Sequence, residues 1–484
     1  MKGILTLVTF FPIIGSLLIV LLPARHERLP KTVALIFSSL TFLISLVVLF
    51  GFKLGAAGLQ MIEKYPMVKS LRSSYFLGVD GISLPLVLLT TFLVVLAVIA
   101  SWNIQHPKGY FAFVLMLETS LIGVFLALDF ILFYLFWEFT LIPMYFLIGV
   151  WGGKRRAYAT LKFFVYTFFG SIFMLLSIIL VYFNAPERTF DMISLANLNL
   201  PVLVQKIVFF GFFLGLGIKI PIFPFHTWLP DAHVEAPTAV SVLLAGVLLK
   251  MGGYGFFRIV MPMLPVAFKA FAVPLAILGV ISIIYGAFCA MAQQDLKKLV
   301  AYSSVSHMGY VVLGLAAANS LAINGAMVQM ISHGLTSGML FLLVGFFYER
   351  THTRNISDLG GLLTQLPVLS GILCFAAFAS LGLPGLSGFV GEFMVLLGTY
   401  RSMLVLTIIA APGIIITAYY HLWMIQKVVM GALPEKFKVL KDASTRELVI
   451  LIPVITMTVL LGFYPKPLVS MVNGPIFEIL KRLK

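Results

Sequence analysis

Residues 217–250 read GIKIPIFPFHTWLPDAHVEAPTAVSVLLAGVLLK. Lys219 and Lys250 each lie inside a long apolar run. Between them stand Pro221, Pro224, Pro230 and Pro237, the histidines His226 and His233, and the carboxylates Asp231 and Glu235. A charge at the centre of a bilayer costs about 2.5–3.5 kcal/mol even on the lenient insertion scale. A chain that accepts this cost twice, around a proline-broken helix, points to the movement of charge.

The rest of the chain supports a membrane setting. Of its 484 residues 61% are hydrophobic and 11% are charged, and the mean hydropathy is +1.08. A soluble fold of this length cannot enclose so much apolar surface. The formal charge of +15 does not indicate nucleic acid, because the basic residues are scattered between apolar segments without a stripe or a basic domain. Loop and headgroup contacts account for them. Cys289 and Cys374 both lie in apolar segments, which suits neither a disulfide framework nor a metal site. No Fe–S, haem or Rossmann signature is present. No cofactor and no metal are expected on this chain. The first apolar run follows Lys2 directly with no small-residue cleavage site after it, so a first helix is expected rather than a cleavable signal.

Apolar runs of about 17–25 residues predict fourteen helices, at 3–22, 31–52, 80–102, 110–128, 130–150, 162–183, 203–225, 238–260, 272–292, 298–318, 323–347, 367–398, 403–430 and 447–465. The longest loops are 53–79 and 431–446. The seventh span is broken at Ile220-Pro221 and Phe223-Pro224. The twelfth is broken around Pro384 and Gly385 in LGLPGLSGF, residues 381–389. Proline removes a backbone donor and clashes with the preceding turn. Freed backbone at membrane depth is tolerated only inside protein or beside a wet cavity. Broken helices at matching places in two halves indicate inverted repeats. The expected fold is therefore an all-α polytopic membrane protein. Helices 1–3 occupy 1–109, the first five-helix repeat (helices 4–8) 110–260, the second (helices 9–13) 261–430, and helix 14 with a tail 431–484. Fourteen spans put both ends on one side. The Lys154-Arg155-Arg156 cluster marks its loop as cytoplasmic, which sends both termini to the periplasmic face.

Ionisable residues inside spans are functional by default. Glu138 lies deep in FYLFWEFTLIPMYFLIG, residues 133–149. A desolvated carboxylate binds its proton more tightly and a neighbouring cation loosens it. A Glu138–Lys219 pair that can be made and broken is a proton switch; a pair that serves assembly alone is the plainer alternative. Lys250 falls near the middle of helix eight, beside Gly252, Gly253 and Gly255, which permit close helix approach. Glu392 follows the second break and would end the polar path. His226 and His233 flank the first break. His307 shares a helix face with Ser303 and Tyr310, and His333 has Ser337 one turn on. Each is a possible relay or simply a hydrogen-bonded core group. Asp80 is expected to cap a helix, and Asp295, Lys297 and Lys298 to form a loop ion-pair group. Glu118 and His421 stay open.

Four stretches, 133–153, 217–255, DLKKLVAYSSVSHMGYV at 295–311 and GLPGLSGFVGEF at 382–393, resemble the antiporter-like membrane subunits of respiratory complex I. That family shares a fourteen-helix core with subunits of multisubunit sodium/proton antiporters and membrane-bound hydrogenases. In it a helix-five carboxylate pairs with the lysine of broken helix seven, and a helix-eight lysine and helix-ten histidine lead to the helix-twelve residue. Carried onto this chain these are Glu138, Lys219, Lys250, His307 and Glu392. A glutamate at 392, where several sister subunits carry lysine, and a chain end soon after Tyr464 with no long lateral helix single out one branch. The resemblance implies a non-redox, proton-translocating subunit of an NADH:quinone oxidoreductase in the bacterial inner membrane, with no catalysis by the isolated chain. FMN, Fe–S clusters and quinone would belong to partner subunits, and sister subunits and lipid would flank this one. The alternatives are an antiporter or hydrogenase subunit, a self-sufficient secondary transporter, and a scaffold whose buried charges serve assembly.

Overall fold

The computed structural model describes residues 3–23 and 27–483. Among these, thirteen helices are long and apolar enough to cross a membrane. They are α1 (Ile4–Leu21), α2 (Arg28–Gly51), α3 (Ser83–Ala100), α4 (Pro107–Leu126), α5 (Phe130–Trp151), α6 (Arg156–Asn184), α7a (Val202–Lys219), α8 (Thr238–Met263), α9 (Pro265–Met291), α10 (Leu296–Ala316), α11 (Ser320–Thr351), α13 (Leu404–Val428) and α14 (Thr445–Phe463). A short α7b (Trp228–Glu235) continues α7a beyond its break. The twelfth span is made of two pieces, α12a (Pro367–Ser380) and α12b (Ser387–Ser402). Both breaks fall where the prolines place them, at 220–227 and 381–386.

Short polar side chains start several helices by taking up orphan backbone N–H groups. Asp129 Oδ1 accepts from the Ile131 amide at 3.0 Å to open α5. Asn319 accepts from the Ala322 amide at 3.0 Å to open α11. Ser444 and Glu447 form a reciprocal capping box on α14. Asp80 caps α3 through the Ile82 and Ser83 amides, each at 3.0 Å. Its second oxygen also pairs with Arg258 of α8 at 2.6 Å, a contact between residues 178 positions apart.

Two segments differ from the sequence-based expectation. Part of the 53–79 loop folds as an antiparallel hairpin, β1 (Gln60–Val68) and β2 (Ser73–Val79). Its Glu63 side chain accepts from the Leu5 and Thr6 amides at 2.8 and 3.0 Å, so the hairpin supplies the carboxylate that the start of α1 lacks. The stretch after α14 is not a plain tail. It forms an amphipathic helix, α15 (Lys466–Arg482), with Leu468, Met471, Val472, Ile476 and Ile479 buried at helical spacing. The hairpin, α15 and the start of α1 share one face of the bundle. There Asn473 of α15 meets Asn324 of α11 at 2.7 Å, and the Met471 carbonyl lies where a Cβ on Gly81 would stand. The loop at 152–155, the turn after α10's neighbour α9 and the segment 431–445 form the opposite face. Contacts there include Gly153 N–H to Glu235 O at 2.9 Å and Gln365 to Leu440 O at 2.7 Å.

Three helices run through the middle. The apolar windows of α8 and α11 are 100% buried and that of α10 is 94% buried, against 28% for α2 and α14. The central three therefore have protein on every side, while the peripheral ones present apolar surface outward. Lys250, His307 and His333 all lie on the central three.

Candidate functional site

Glu138, Lys219, Lys250 and Glu392 each lie at or beside an irregularity in a helix, whereas His307 and His333 stand on continuous ones. In α5, Pro143 cannot donate to the carbonyl four residues back, and the helix tightens at Thr140, whose amide bonds Trp137 O at 3.3 Å. Glu138 sits immediately before that step. One of its oxygens, Oε1, is buried without a hydrogen-bond partner. Lys219 is the last residue of α7a and is 1% exposed. Its ammonium has no hydrogen-bond partner and rests over the Trp137 and Phe163 rings, 5.5 and 5.6 Å from their centroids. Glu138 is the negative charge that bears on it, yet the two make no ion pair within 4.0 Å. The expected Glu138–Lys219 ion pair is not formed in this structure; the ammonium lies over the two rings instead.

Lys250 is fully buried in α8, between two π-helical segments, Leu244–Leu248 and Phe256–Val260. Such wide turns free carbonyls and recur at functional sites. Here the Leu249 amide bonds Leu244 O, and the Ala245 carbonyl accepts from Lys250 Nζ at 2.5 Å. The same ammonium donates to His333 Nδ1 at 2.7 Å. The His333 ring lies 5.7 Å from the His307 ring, centroid to centroid. His307 Nδ1 is 2.7 Å from Glu392 Oε1, and its Nε2 is 3.0 Å from Ser380 Oγ on α12a. Gln329 of α11 donates to the same Glu392 oxygen at 3.0 Å. Glu392 Oε2 lies beside the second helix break, 3.5 Å from where a Cβ on Gly382 would stand. Lys250–His333 and His307–Glu392 are thus two buried pairs placed end to end across α8, α11, α10 and α12b, with His333 Nε2 unpartnered between them.

The remaining sequence candidates divide. His233 is fully buried, stacks on Phe341 at 4.4 Å and has no partner on either ring nitrogen. The positive charges bearing on it are Lys297 and Lys250. His226 packs among Phe223, Tyr285 and Tyr302 with Nδ1 unpartnered. Ser303 Oγ bonds its own helix at Val300 O (2.8 Å), and Ser337 bonds the His333 carbonyl, not its ring. The Tyr310 hydroxyl is buried without a partner. Glu118 has no partner on either oxygen. His421 Nδ1 donates to Thr417 O at 3.0 Å.

The expected loop group at 295–298 is corrected. Lys297 is 5% exposed and its Nζ donates to Ala236 O at 2.5 Å, while Asp295 caps α10 and pairs with Arg354 at 3.3 Å. Three further groups were not singled out in the sequence. They are Gln329, Ser380, and Lys162, which pairs with Asp231 of α7b at 2.7 Å. Gln329 had a legible signal: it lies one helical turn before His333 and so shares its face.

Residues 7–127 match the family described as NADH-ubiquinone oxidoreductase chain 4, amino terminus, and residues 127–417 that described as NADH:quinone oxidoreductase/Mrp antiporter, TM. NADH-quinone oxidoreductase subunit M of Rhodobacter capsulatus is 46% identical over 98% of this chain and 96% of its own length. The chain belongs to the subunit M family of NADH-quinone oxidoreductase. NAD(P)H-quinone oxidoreductase chain 4 1 of Synechococcus elongatus is 43% identical over 96% of this chain and 88% of its own. Among solved structures, a chain of respiratory complex I from Thermus thermophilus with bound NADH superposes with a TM-score of 0.92 at 30% identity, covering 99% of this chain and 100% of that one. The Mrp complex from Dietzia sp. contains a chain of the same fold, with a TM-score of 0.85 at 16% identity and 99% coverage of each. As a subunit M family member the chain is a multi-pass protein of the bacterial membrane and a proton-translocating membrane-arm subunit.

Proposed function

We propose that this subunit moves protons through the buried series Lys250–His333–His307–Glu392, and that the Glu138–Lys219 neighbours gate the supply to Lys250. The observation that carries this reading is the end-to-end placement of two buried pairs, Lys250–His333 and His307–Glu392, each at 2.7 Å, with the two imidazoles 5.7 Å apart and His333 Nε2 left without a protein partner, so that water or a ring movement must join them. Each member can hold or release a proton, and imidazole can take one on one nitrogen while losing one from the other. Lys219 is held by ring faces worth about 2 kcal/mol when desolvated, so an approaching Glu138 carboxylate can draw its ammonium away. Closing that pair favours a charged Lys219; opening it lets the proton pass through water and histidine to Lys250. The helix break beside Glu392 Oε2 exposes backbone that water must satisfy, and this gives the proton its way out.

The magnitudes are compatible. Moving one charge against 100 mV costs about 2.3 kcal/mol. Stranding one member of a buried pair costs about 3–5 kcal/mol, so one switch suffices for one proton. The electrons stay elsewhere on this reading: NADH, FMN, Fe–S clusters and quinone belong to partner subunits of the complex. Sister antiporter-like subunits and lipid cover the apolar flanks, and the two repeats run from α4 to α8 and from α9 to α13.

Lys250→Met tests the series. It keeps the length of the side chain and removes the proton carrier. The complex should assemble on native gels and its proton-to-electron ratio in vesicles should fall. An unchanged ratio in assembled complex would overturn the path.

A further inference from the structure

Glu392 is 3% exposed, so whichever state it adopts must find its partners inside the protein. A carboxylate only accepts hydrogen bonds, whereas a carboxylic acid must also donate one. His307 faces Oε1 with Nδ1 and has Nε2 committed to Ser380. Once it has given up its Nδ1 proton, it can only take that proton back. Tyr310 on α10 and Tyr420 on α13 are the other titratable groups that bear on Glu392; the Tyr310 hydroxyl is buried without a partner, and that of Tyr420 lies beside Thr417 and Ser303.

Gln329 is different. It is 2% exposed, its Nε2 donates to Glu392 Oε1 at 3.0 Å, and its own Oε1 is buried with no partner. An amide holds a donor and an acceptor on one planar group, exchanged by a half-turn of its last bond. The helix opposite has no side chain at the point where it faces the amide. Gly391, next to Glu392, packs directly on Gln329, and a Cβ there would stand 2.5 Å from the amide oxygen.

We propose that Gln329 is a positioning residue that turns with each change in the protonation of Glu392. Its Nε2 faces the carboxylate, and its Oε1 faces the hydroxyl of the acid. A proton leaving His307 Nδ1 binds Glu392 Oε1 and leaves the imidazole neutral, with its remaining proton on Nε2. The new hydroxyl then donates to Gln329 Oε1 instead of returning to His307. When the acid loses its proton toward the helix break, the amide turns back. The turn makes the step from His307 to Glu392 directional. This inference rests on Glu392 being the site of proton exchange.

The test uses whole complex in membrane vesicles with three variants. Gln329→Met keeps length and bulk but can neither donate nor accept. Gln329→His can do both, and Glu392→Gln is the reference. Losing one buried hydrogen-bond partner is worth about tenfold, so Gln329→Met should slow proton-coupled turnover by about that factor. It should also shift the infrared carboxyl band that Glu392→Gln abolishes, and Gln329→His should restore most of the rate. Wild-type complex labelled with carbon-13 on its glutamine side-chain carbonyls should show an amide band that changes in step with the carboxyl band. Wild-type rate and an unmoved carboxyl band in Gln329→Met would overturn the proposal. So would the absence of an amide change in the labelled wild type, which needs no substitution. If Glu392→Gln pumps normally, the assignment of Glu392 itself fails. If Glu392→Gln is impaired while Gln329→Met is not, only the role of Gln329 falls.

Discussion

Lys219 has its ammonium over the rings of Trp137 and Phe163, with no carboxylate within 4.0 Å. Removing either member of the Glu138–Lys219 couple should therefore weaken control of the site more than it weakens the fold. We expect Lys219→Ala and Glu138→Ala each to assemble and to lower the proton-to-electron ratio severalfold in reconstituted vesicles; near-normal ratios in both would reject the gate. Glu392→Lys should retain part of the pumping, since lysine also titrates. It replaces an acceptor with a donor, so the bonds that His307 and Gln329 now donate must be exchanged for ones they accept. Assembly failure in Glu392→Lys together with normal pumping in Glu392→Gln would make Glu392 an anchor. At this scale the sequence was informative about charge and silent about partners. An apolar run around Lys250 announces a costly cation, but nothing in the run says that a π-helical turn will free Ala245 O or that His333 stands 2.7 Å away. His333 comes from a helix more than eighty residues further along the chain.

At the scale of the helix, the Asp80–Arg258 pair ties α3 to α8 where the second π-helical segment ends the central helix. Arg258 Nε also donates to the Tyr254 hydroxyl at 3.1 Å, and that hydroxyl donates to Phe125 O of α4 at 2.8 Å. Three helices thus meet at one guanidinium. Removing one partner of a buried pair costs about 3–5 kcal/mol. Asp80→Asn keeps the cap on α3 and strands Arg258, so it should lower the thermal midpoint of the purified complex or its yield. Adding Arg258→Met should recover part of the loss, and a double variant worse than the single one would reject a coupled pair. The spans themselves were legible because length, hydropathy and proline are local properties. The breaks at Pro221, Pro224 and Pro384 fall where chain chemistry demands them. The hairpin at 60–79 and helix α15 were not legible as such. Each is short, partly polar and stable only against the rest: Glu63 completes the start of α1, and α15 lies with Met471 against Gly81.

At the scale of the whole molecule, the two faces carry different structures. One holds the hairpin, α15 and the start of α1, with Glu63 bonding Leu5 of α1 and Asn473 tying α15 to Asn324 of α11. The other holds the 154–156 cluster, the end of α7b and the start of α10, around a cavity of about 770 Å³ lined by Lys154, Arg155, Glu235, Asp295, Lys297 and Arg354. Basic residues accumulate on the cytoplasmic side because moving them across the membrane is unfavourable. The second face should therefore be cytoplasmic and the hairpin face periplasmic. That assignment gives the proton path its direction, with Lys297 and His233 on the uptake side of Lys250 and the α12 break on the release side. A cysteine placed at Lys154 should react with a membrane-impermeant maleimide only in inside-out vesicles. One placed at Lys69, between the strands of the hairpin, should react only in right-side-out vesicles. Both substitutions lie away from the buried series and should leave pumping intact, which confirms that the labelled protein is the native one. Labelling with the opposite sidedness would reverse the membrane orientation, and with it uptake and release, while leaving the buried series in place.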